Sequence, residues 1–393
     1  MNKTDWKTKE TALNNVPGVY ALRRLLAVMA AGLALSACSD SSDSPMQVLT
    51  EPVRYNQLQF LGTHNSYHIE PRTDIFELLL AFIPDVAPTL QYSHVSLTEQ
   101  FATQGIRQIE LDVFHDPDGG LYADRKALSL FNEDPASGIA ELDAPGLKVL
   151  HVQEIDYETT CFTFVSCLQE VKAWSDANPT HLPIMVLVEA KDDPIPDPLN
   201  LGFSVPEPFG RAALDLIDTE IRSVFDDARL ILPDDVRGDD VTLELAVLTR
   251  GWPLISDLRG KIIFALDNGG DKRDLYVEGH TSLEGRVMFT DSPPGTPEAA
   301  FMKRNNPLSN PGEIEMLVQQ GYLVRTRADA DAEQARSGDT TQREAALNSG
   351  AHFISTDYPL PDPRFTDYQV QLPGGGEARC NPVNPGPCVQ VAF

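Results

Sequence analysis

Two short stretches of the chain carry polar side chains within or directly after strand-like apolar runs, where packing of a hydrophobic core does not require them. In the first, a strand-like apolar run ends in a turn that contains two histidines, His64 and His68, and the amide of Asn65. In the second, residues 106–113, apolar and polar residues alternate, so Glu110 and Asp112 share one face of a strand. Two carboxylates on a buried face repel each other and lose hydration unless a cation lies between them. The pattern therefore predicts a metal site.

The rest of the chain alternates between strands and helices. Eight apolar runs, bounded mostly by polar residues at their C-terminal ends, are predicted to be strands: 57–62, 106–113, 147–152, 183–189, 261–267, 286–290, 322–326 and 351–356. They predict an α/β fold, a single TIM-like (β/α)₈ barrel over residues 55–360. In such a barrel the C-terminal ends of the strands meet at one mouth, where catalytic residues lie.

The polar residues predicted at this mouth fall into three chemical groups. Two histidines, His64 and His151, suit a general base and a general acid. Oxygen donors form the second group: Asn65, Glu110, Asp112 and Glu189. Oxygen-only ligands favour Ca²⁺ or Mg²⁺ over zinc, with Ca²⁺ preferred. The third group is basic and suits a phosphate: Lys191, Arg325 and Arg327.

The order and spacing of these motifs resemble those of a known superfamily over residues 55–360. The motifs are Thr63-His64-Asn65, Glu110-Leu111-Asp112, Val149-Leu150-His151, Leu187-Val188-Glu189 and Thr356-Asp357-Tyr358-Pro359. They are similar to those of the phospholipase C-like phosphodiesterases, and most of all to the bacterial calcium-dependent phosphatidylinositol-specific phospholipases C. The resemblance implies that His64 is the general base, that a second histidine is the general acid, and that Asn65, Glu110, Asp112 and Glu189 bind Ca²⁺. It also implies cleavage of the glycerol–phosphate bond of a phospholipid.

Several alternatives remain open from the sequence. The substrate could be a glycerophosphodiester, or the barrel could be a non-catalytic surface lipoprotein that binds lipid or sugar. The general acid is either His151, which matches the family position, or His115, which lies three residues after Asp112 and is expected beyond the end of the strand. We favour His151.

The N-terminal region predicts export. A pair of arginines precedes a short apolar run and small residues, as in a secretory signal. The sequence Leu35-Ser36-Ala37-Cys38 also resembles the bacterial lipobox, with an ordinary signal peptide as the alternative. We therefore predict a lipoprotein signal peptide at residues 1–37, an acylated Cys38 and a flexible tether at 38–54. The expected location is the bacterial cell envelope, periplasmic or on the outer surface.

Two further segments lie outside the predicted alternation of strands and helices. Residues 70–95 form an apolar insertion after the first strand, either a helix that caps the barrel or a lid that contacts lipid. Residues 361–393 form a Gly- and Pro-rich C-terminal extension.

Four cysteines lie beyond Cys38: Cys161, Cys167, Cys380 and Cys388. In an exported protein they favour two disulfides, most simply the two local pairs. Zinc is the weaker alternative because no CxxC motif accompanies them. The second pair would staple the C-terminal extension.

The chain is strongly acidic, with a formal net charge of −27. This charge argues against nucleic acid and against an anionic membrane surface as general partners. It fits an exported protein that binds divalent cations. We expect a monomer whose partners are its phospholipid or glycerophosphodiester substrate and the membrane that holds the lipid anchor.

Overall fold

The computed structural model describes residues 52–388, which are built around a parallel barrel. The strands are β1 Leu58–Thr63, β2 Gln108–Asp116, β3 Gly146–Val149, β4 Ile184–Ala190, β5 Ile262–Leu266, β6 Met288–Thr290, β7 Phe301–Lys303, β8 Leu323–Arg327, β9 Phe353–Thr356 and β10 Ala378–Cys380. Within this described part, eight strands run in the order β6-β5-β4-β2-β1-β9-β8-β7. A parallel bridge between Asp291 and Phe301 links β6 to β7. The barrel is thus nearly closed, which confirms the predicted fold class.

Helices connect the strands of the barrel. They are α1 Thr73–Phe82, α2 Leu97–Thr103, α3 Phe164–Ala177, α4 Arg211–Val224, α5 Pro233–Arg237, α6 Leu243–Thr249, α7 Ile255–Leu258, α8 Gly270–Val277, α9 Glu313–Gln320, α10 Glu333–Ser337 and α11 Thr341–Asn348. The strands are covered on both faces, and residues 184–188 of β4 are fully buried, as expected for parallel sheets. No helix among residues 52–388 combines the length and apolar character needed to cross a bilayer.

One predicted barrel strand was wrong and another was missed. The predicted third strand corresponds to β3, which pairs antiparallel with the end of β2 and lies outside the barrel path. It can do so because β2 continues to Asp116 and offers a free edge there. The missing strand is β7, whose three residues are too few to show a periodic pattern. The predicted and observed sets of eight strands therefore differ in one member.

The two additional segments are tied to the barrel in different ways. Helix α1 lies in the predicted insertion and packs through Ile75 and Leu79 into a small cluster that includes Tyr157. In the C-terminal extension, β10 pairs antiparallel with β1, so this extension belongs to the sheet and is more than a surface appendage.

The predicted disulfides Cys161–Cys167 and Cys380–Cys388 are both present. The predicted signal peptide, Cys38 and nearly all of the tether lie outside the described residues.

Candidate active site

The turn after β1 carries the first histidine and is fixed by its neighbours. The backbone N–H of His64 donates to the carbonyl of Thr356 at the end of β9, at 3.1 Å. Ser66 bonds to the backbone of Glu110 twice, donating its N–H at 2.9 Å and accepting through Oγ at 2.8 Å. Asn65 has a φ of 43°, a left-handed conformation that asparagine tolerates better than most residues. The turn is therefore held between β2 and β9 at the mouth of the barrel.

A buried carboxylate orients the ring of His64. Nδ1 lies 2.8 Å from Oδ1 of Asp357, the residue that follows β9. Because an ionised carboxylate only accepts hydrogen bonds, Nδ1 carries the hydrogen and Nε2 is the free acceptor. Burial, and then the charge of Arg327, lower the pKa of His64 to about 3. His64 is therefore neutral near pH 7 and can take up a proton at Nε2.

Three carboxylates meet beside this histidine. Oε1 of Glu110 lies 3.8 Å from Nε2 of His64. The register of the sheet sets Asp112 of β2 beside Glu189 of β4, and one oxygen from each of the three acids lies within 4.8 Å of the others. Burial raises the pKa of Glu110 to about 8, and burial followed by the charge of Asp112 raises that of Glu189 to about 7. Neighbouring cations thus balance the negative charge of this group only in part.

Buried oxygen atoms without a hydrogen-bond partner among residues 52–388 occur in the same region. They include Oδ1 of Asn65 and Oδ1 of Asp112. The amide nitrogen of Asn65 donates to the hydroxyl of Tyr92 at 2.9 Å, so only its oxygen remains available. A buried polar atom left unpaired costs about 1–3 kcal/mol, which favours a ligand at this position. Carboxylate and amide oxygens of this kind fit Ca²⁺, and the grouped carboxylates of Glu110, Asp112 and Glu189 could hold it.

The second histidine, His151, lies on the loop after β3. Its Nδ1 is 2.6 Å from Oδ2 of Asp156, whose side chain is fully buried. Burial of Asp156 favours its neutral form, but the hydrogen bonds and charges of His68 and His151 outweigh this and hold the pKa of Asp156 well below its usual range. Burial, and then the charge of Lys191, lower the pKa of His151. The side chain of His151 is 19 % exposed, so its ring reaches the surface of the mouth.

The three predicted phosphate-binding residues occupy two kinds of position. Nζ of Lys191 lies 3.0 Å from Oδ2 of Asp112, and Arg327 lies 3.4 Å from Oδ2 of Asp357; both side chains are partly exposed. Arg325 is buried, and its guanidinium donates to Oε2 of Glu110 at 2.5 Å. Lys191 and Arg327 are therefore accessible from the mouth, whereas Arg325 supports Glu110 from inside.

A family model described as "Phosphoinositide phospholipase C, Ca2+-dependent" matches residues 53–382. The match covers most of the chain and includes every candidate site residue of the barrel. The chain belongs to this family. It is therefore an enzyme of the phosphoric diester hydrolase class, and the predicted family, reaction class and dependence on Ca²⁺ are confirmed.

Solved structures of a calcium-dependent phosphoinositol-specific phospholipase C share the fold. The chain resembles the enzyme from a Gram-negative Pseudomonas species in a form described with myoinositol, at 16 % identity and a TM-score of 0.51, covering 84 % of this chain and 96 % of that chain. Another crystal form of the Pseudomonas enzyme gives 15 % identity and a TM-score of 0.50, covering 83 % and 95 %. The Streptomyces antibioticus enzyme gives 19 % identity and a TM-score of 0.49, covering 78 % and 95 %. No curated protein sequence matches the chain.

The structure places His115 away from the reactive groups of this phospholipase. The expectation that His115 lies beyond the strand was wrong, since β2 extends to Asp116. Strand alternation puts its side chain on the face opposite to Glu110 and Asp112. Its ring packs 6.0 Å from that of Phe209. The structure therefore brings His64 and His151, but not His115, to the mouth.

Sequence reasoning did not assign roles to several residues of the site. Asp357 belongs to the motif Thr356-Asp357-Tyr358-Pro359, but nothing in the sequence indicates its bond to His64. Asp156 lies in a loop with no periodic pattern, and His68 carries no signal beyond its closeness to His64 in sequence. Asp267 bonds to Lys303, and this pair was missed together with β7.

Proposed function

We propose that this phospholipase cleaves the glycerol–phosphate bond of phosphatidylinositol by acid–base catalysis with His64 and His151. The observation that carries the proposal is that each histidine bonds through Nδ1 to a buried carboxylate, Asp357 or Asp156. In both rings Nε2 is thereby left for proton transfer. Nε2 of His64 lies 3.8 Å from Glu110 of the oxygen-rich group, and the charge of Lys191, which lies 3.0 Å from Asp112 of that group, acts on His151.

The reaction begins with an inositol hydroxyl and ends with a glycerol hydroxyl. Nε2 of His64 takes the proton of the inositol hydroxyl, whose oxygen forms a new bond to phosphorus. The bond between phosphorus and the glycerol oxygen breaks, and His151 gives its Nε2 proton to that oxygen. The products are a cyclic inositol phosphate and diacylglycerol. Each positioned proton transfer typically contributes ~10²–10⁴-fold to the rate.

The remaining residues of the mouth would hold the metal and the phosphate. Asn65, Glu110, Asp112 and Glu189 would hold Ca²⁺, which when bound neutralises phosphate charge and lowers the pKa of the attacking hydroxyl. Lys191 and Arg327 keep positive charge at the accessible side of the same mouth and would orient the phosphate. Arg325 would keep the carboxylate of Glu110 in place.

Exposed apolar residues support a membrane phospholipid over a water-soluble diester as substrate. Four exposed large apolar residues lie close together in sequence in α1 and the residues just after it, within the predicted insertion that follows β1: Leu80, Phe82, Ile83 and Val86. A group of exposed apolar side chains on this segment would lower the free energy of contact with a lipid surface.

We also propose that the chain is a lipoprotein of the bacterial cell envelope. Its support is the sequence alone: the signal-like segment at residues 1–37 and Cys38 within a lipobox-like motif. A lipid anchor on Cys38 would keep the barrel near its substrate, and we expect the barrel to act as a monomer.

The first experiment is a substrate panel in the presence of Ca²⁺. It compares phosphatidylinositol, phosphatidylcholine and glycerophosphoinositol by release of diacylglycerol or of the alcohol. The proposal expects turnover of phosphatidylinositol above the others. Preference for the glycerophosphodiester would favour the alternative diesterase, and binding without turnover of any substrate would favour the non-catalytic lipoprotein.

A further inference from the structure

Asp156 bonds to a second imidazole in addition to that of His151. Nε2 of His68 lies 2.9 Å from Oδ1 and 3.0 Å from Oδ2 of Asp156, while Nδ1 of His151 lies 2.6 Å from Oδ2. The planes of the two imidazole rings lie at 84° to each other, with centroids 5.4 Å apart. The carboxylate is thus held from two directions by two histidines.

A tight hairpin brings Asp156 back to His151. Val152 and Asp156 exchange two backbone hydrogen bonds, at 2.8 and 2.9 Å. Glu154 at the tip has a φ of 68°, and its buried carboxylate accepts from the N–H groups of Lys126 and Ser204. The hairpin therefore fixes the backbone of Asp156, but its carboxylate still requires a donor on the side away from His151.

His68 is built into the structure as that donor. Its side chain is fully buried, and its ring packs 4.2 Å from that of Tyr92. Its backbone N–H donates to the carbonyl of Asn65 at 2.9 Å, and its backbone forms an antiparallel bridge with Thr159. Because none of its side chain is exposed, His68 does not touch the substrate.

We infer that His68 is a positioning residue, which holds Asp156 so that the ring of His151 presents Nε2 to the leaving glycerol oxygen. The inference rests on the proposed role of His151 as general acid. Without the second donor, the buried carboxylate would be free to turn about its side-chain bonds, and the ring of His151 would lose its fixed direction. A positioning role of this kind acts only on the step in which the leaving group is protonated.

The test compares two substrates with different leaving groups. Phosphatidylinositol has a poor alkoxide leaving group and needs the acid, whereas a nitrophenyl ester of inositol phosphate has a leaving group that needs little protonation. His68→Phe keeps a ring against Tyr92 but removes the donor to Asp156. We expect kcat for phosphatidylinositol to fall about tenfold or more, up to the ~10²–10⁴-fold that a positioned acid contributes in full, with little change for the nitrophenyl ester.

Two further variants separate positioning from a merely structural role. His68→Gln retains an N–H donor near the position of Nε2. It should therefore keep most of the rate with phosphatidylinositol that His68→Phe loses, relative to the rate with the nitrophenyl ester. His181→Gln changes another buried histidine, which bonds to Ser175 and precedes β4 at the opposite end of the barrel. It should lower stability without changing the ratio of the two rates. An equal loss on both substrates in His68→Phe, or no loss on either, would overturn the inference.

Two controls keep this result interpretable. If the unmodified protein turns over neither substrate, or if His151→Ala shows no dependence on the leaving group, the proposed function fails and not the inference about His68. If His68→Phe does not fold, proton spectra of the unmodified protein labelled with ¹⁵N-histidine provide the test. The inference expects slowly exchanging N–H protons on Nε2 of His68 and Nδ1 of His151, and their absence would contradict it.

Discussion

His64 and His151 each bond through Nδ1 to a buried carboxylate, at 2.8 and 2.6 Å, but the two carboxylates come from different parts of the fold. Asp357 directly follows β9, His64 directly follows β1, and these two strands are neighbours in the sheet. Its backbone N–H donates to Asp329 at 2.9 Å. Asp156 lies in the hairpin after His151, outside the barrel strands, and depends on His68 for its second donor.

The difference shows two ways to fix an imidazole. On the His64 side, parallel strands of the barrel set both partners, as expected for groups at the ends of strands. On the His151 side, no barrel strand holds Asp156. The local constraints there are the hairpin, the bridge between His68 and Thr159, and the disulfide Cys161–Cys167 that follows them in sequence. Substitutions should therefore affect the two sides differently in both activity and stability.

The largest effect is expected from the loss of His64. His64→Ala removes the proposed base, which acts before the leaving group departs, so turnover should fall ~10²–10⁴-fold on phosphatidylinositol and on the nitrophenyl ester alike. Rates with both substrates at saturating Ca²⁺ check this. A loss confined to phosphatidylinositol would mean that His64, and not His151, protonates the leaving oxygen.

A smaller effect is expected from each carboxylate. Asp357→Asn and Asp156→Asn keep the shape of the side chain but can donate to Nδ1, which would favour the wrong tautomer of the histidine. Asp357→Asn should slow both substrates about tenfold or more, and Asp156→Asn only phosphatidylinositol. If both variants changed the rates with the two substrates in the same way, the two histidine–carboxylate pairs would not act on separate proton transfers.

The smallest effect concerns stability and its dependence on pH. Because the pKa of Glu110 is raised to about 8 and that of Glu189 to about 7, the metal-free folded protein retains protons that the unfolded chain releases. Stability of the metal-free protein should therefore fall as pH rises from about 5 to about 8. Ca²⁺ binds the ionised carboxylates, so its Kd should fall as pH rises through this range. At a fixed Ca²⁺ concentration its stabilisation, about 2.7 kcal/mol where that concentration is a hundred times Kd, should therefore be larger at the upper end of this range.

Thermal unfolding with and without Ca²⁺ measures this stabilisation, and Glu220→Gln provides the matched control. Burial raises the pKa of Glu220 to about 7, but its carboxylate accepts from the N–H of Leu147 and lies outside the oxygen-rich group. This control should alter the pH dependence of the metal-free protein and leave the increment from Ca²⁺ unchanged. An increment that does not grow with pH would exclude Glu110 and Glu189 as the groups that ionise on binding.

The parts of the site that strands position were predictable from sequence. Alternation in β2 placed Glu110 and Asp112 on one face, and the apolar run of β4 led to Glu189 at its end. Asp156 was not predictable, because a hairpin with a left-handed residue at its tip leaves no periodic pattern. The face on which His115 lies was not predictable, because β2 runs past the barrel to pair with β3, a tertiary contact that strand periodicity does not reveal.

The central claim is that His64 and His151 divide the two proton transfers, with His151 as the general acid. The most direct test measures turnover of phosphatidylinositol and of the nitrophenyl ester by His151→Ala and His115→Ala. We expect His151→Ala to lose ~10²–10⁴-fold in turnover of phosphatidylinositol and far less with the nitrophenyl ester, while His115→Ala resembles the unmodified protein. Leaving-group dependence in His115→Ala and not in His151→Ala would contradict it.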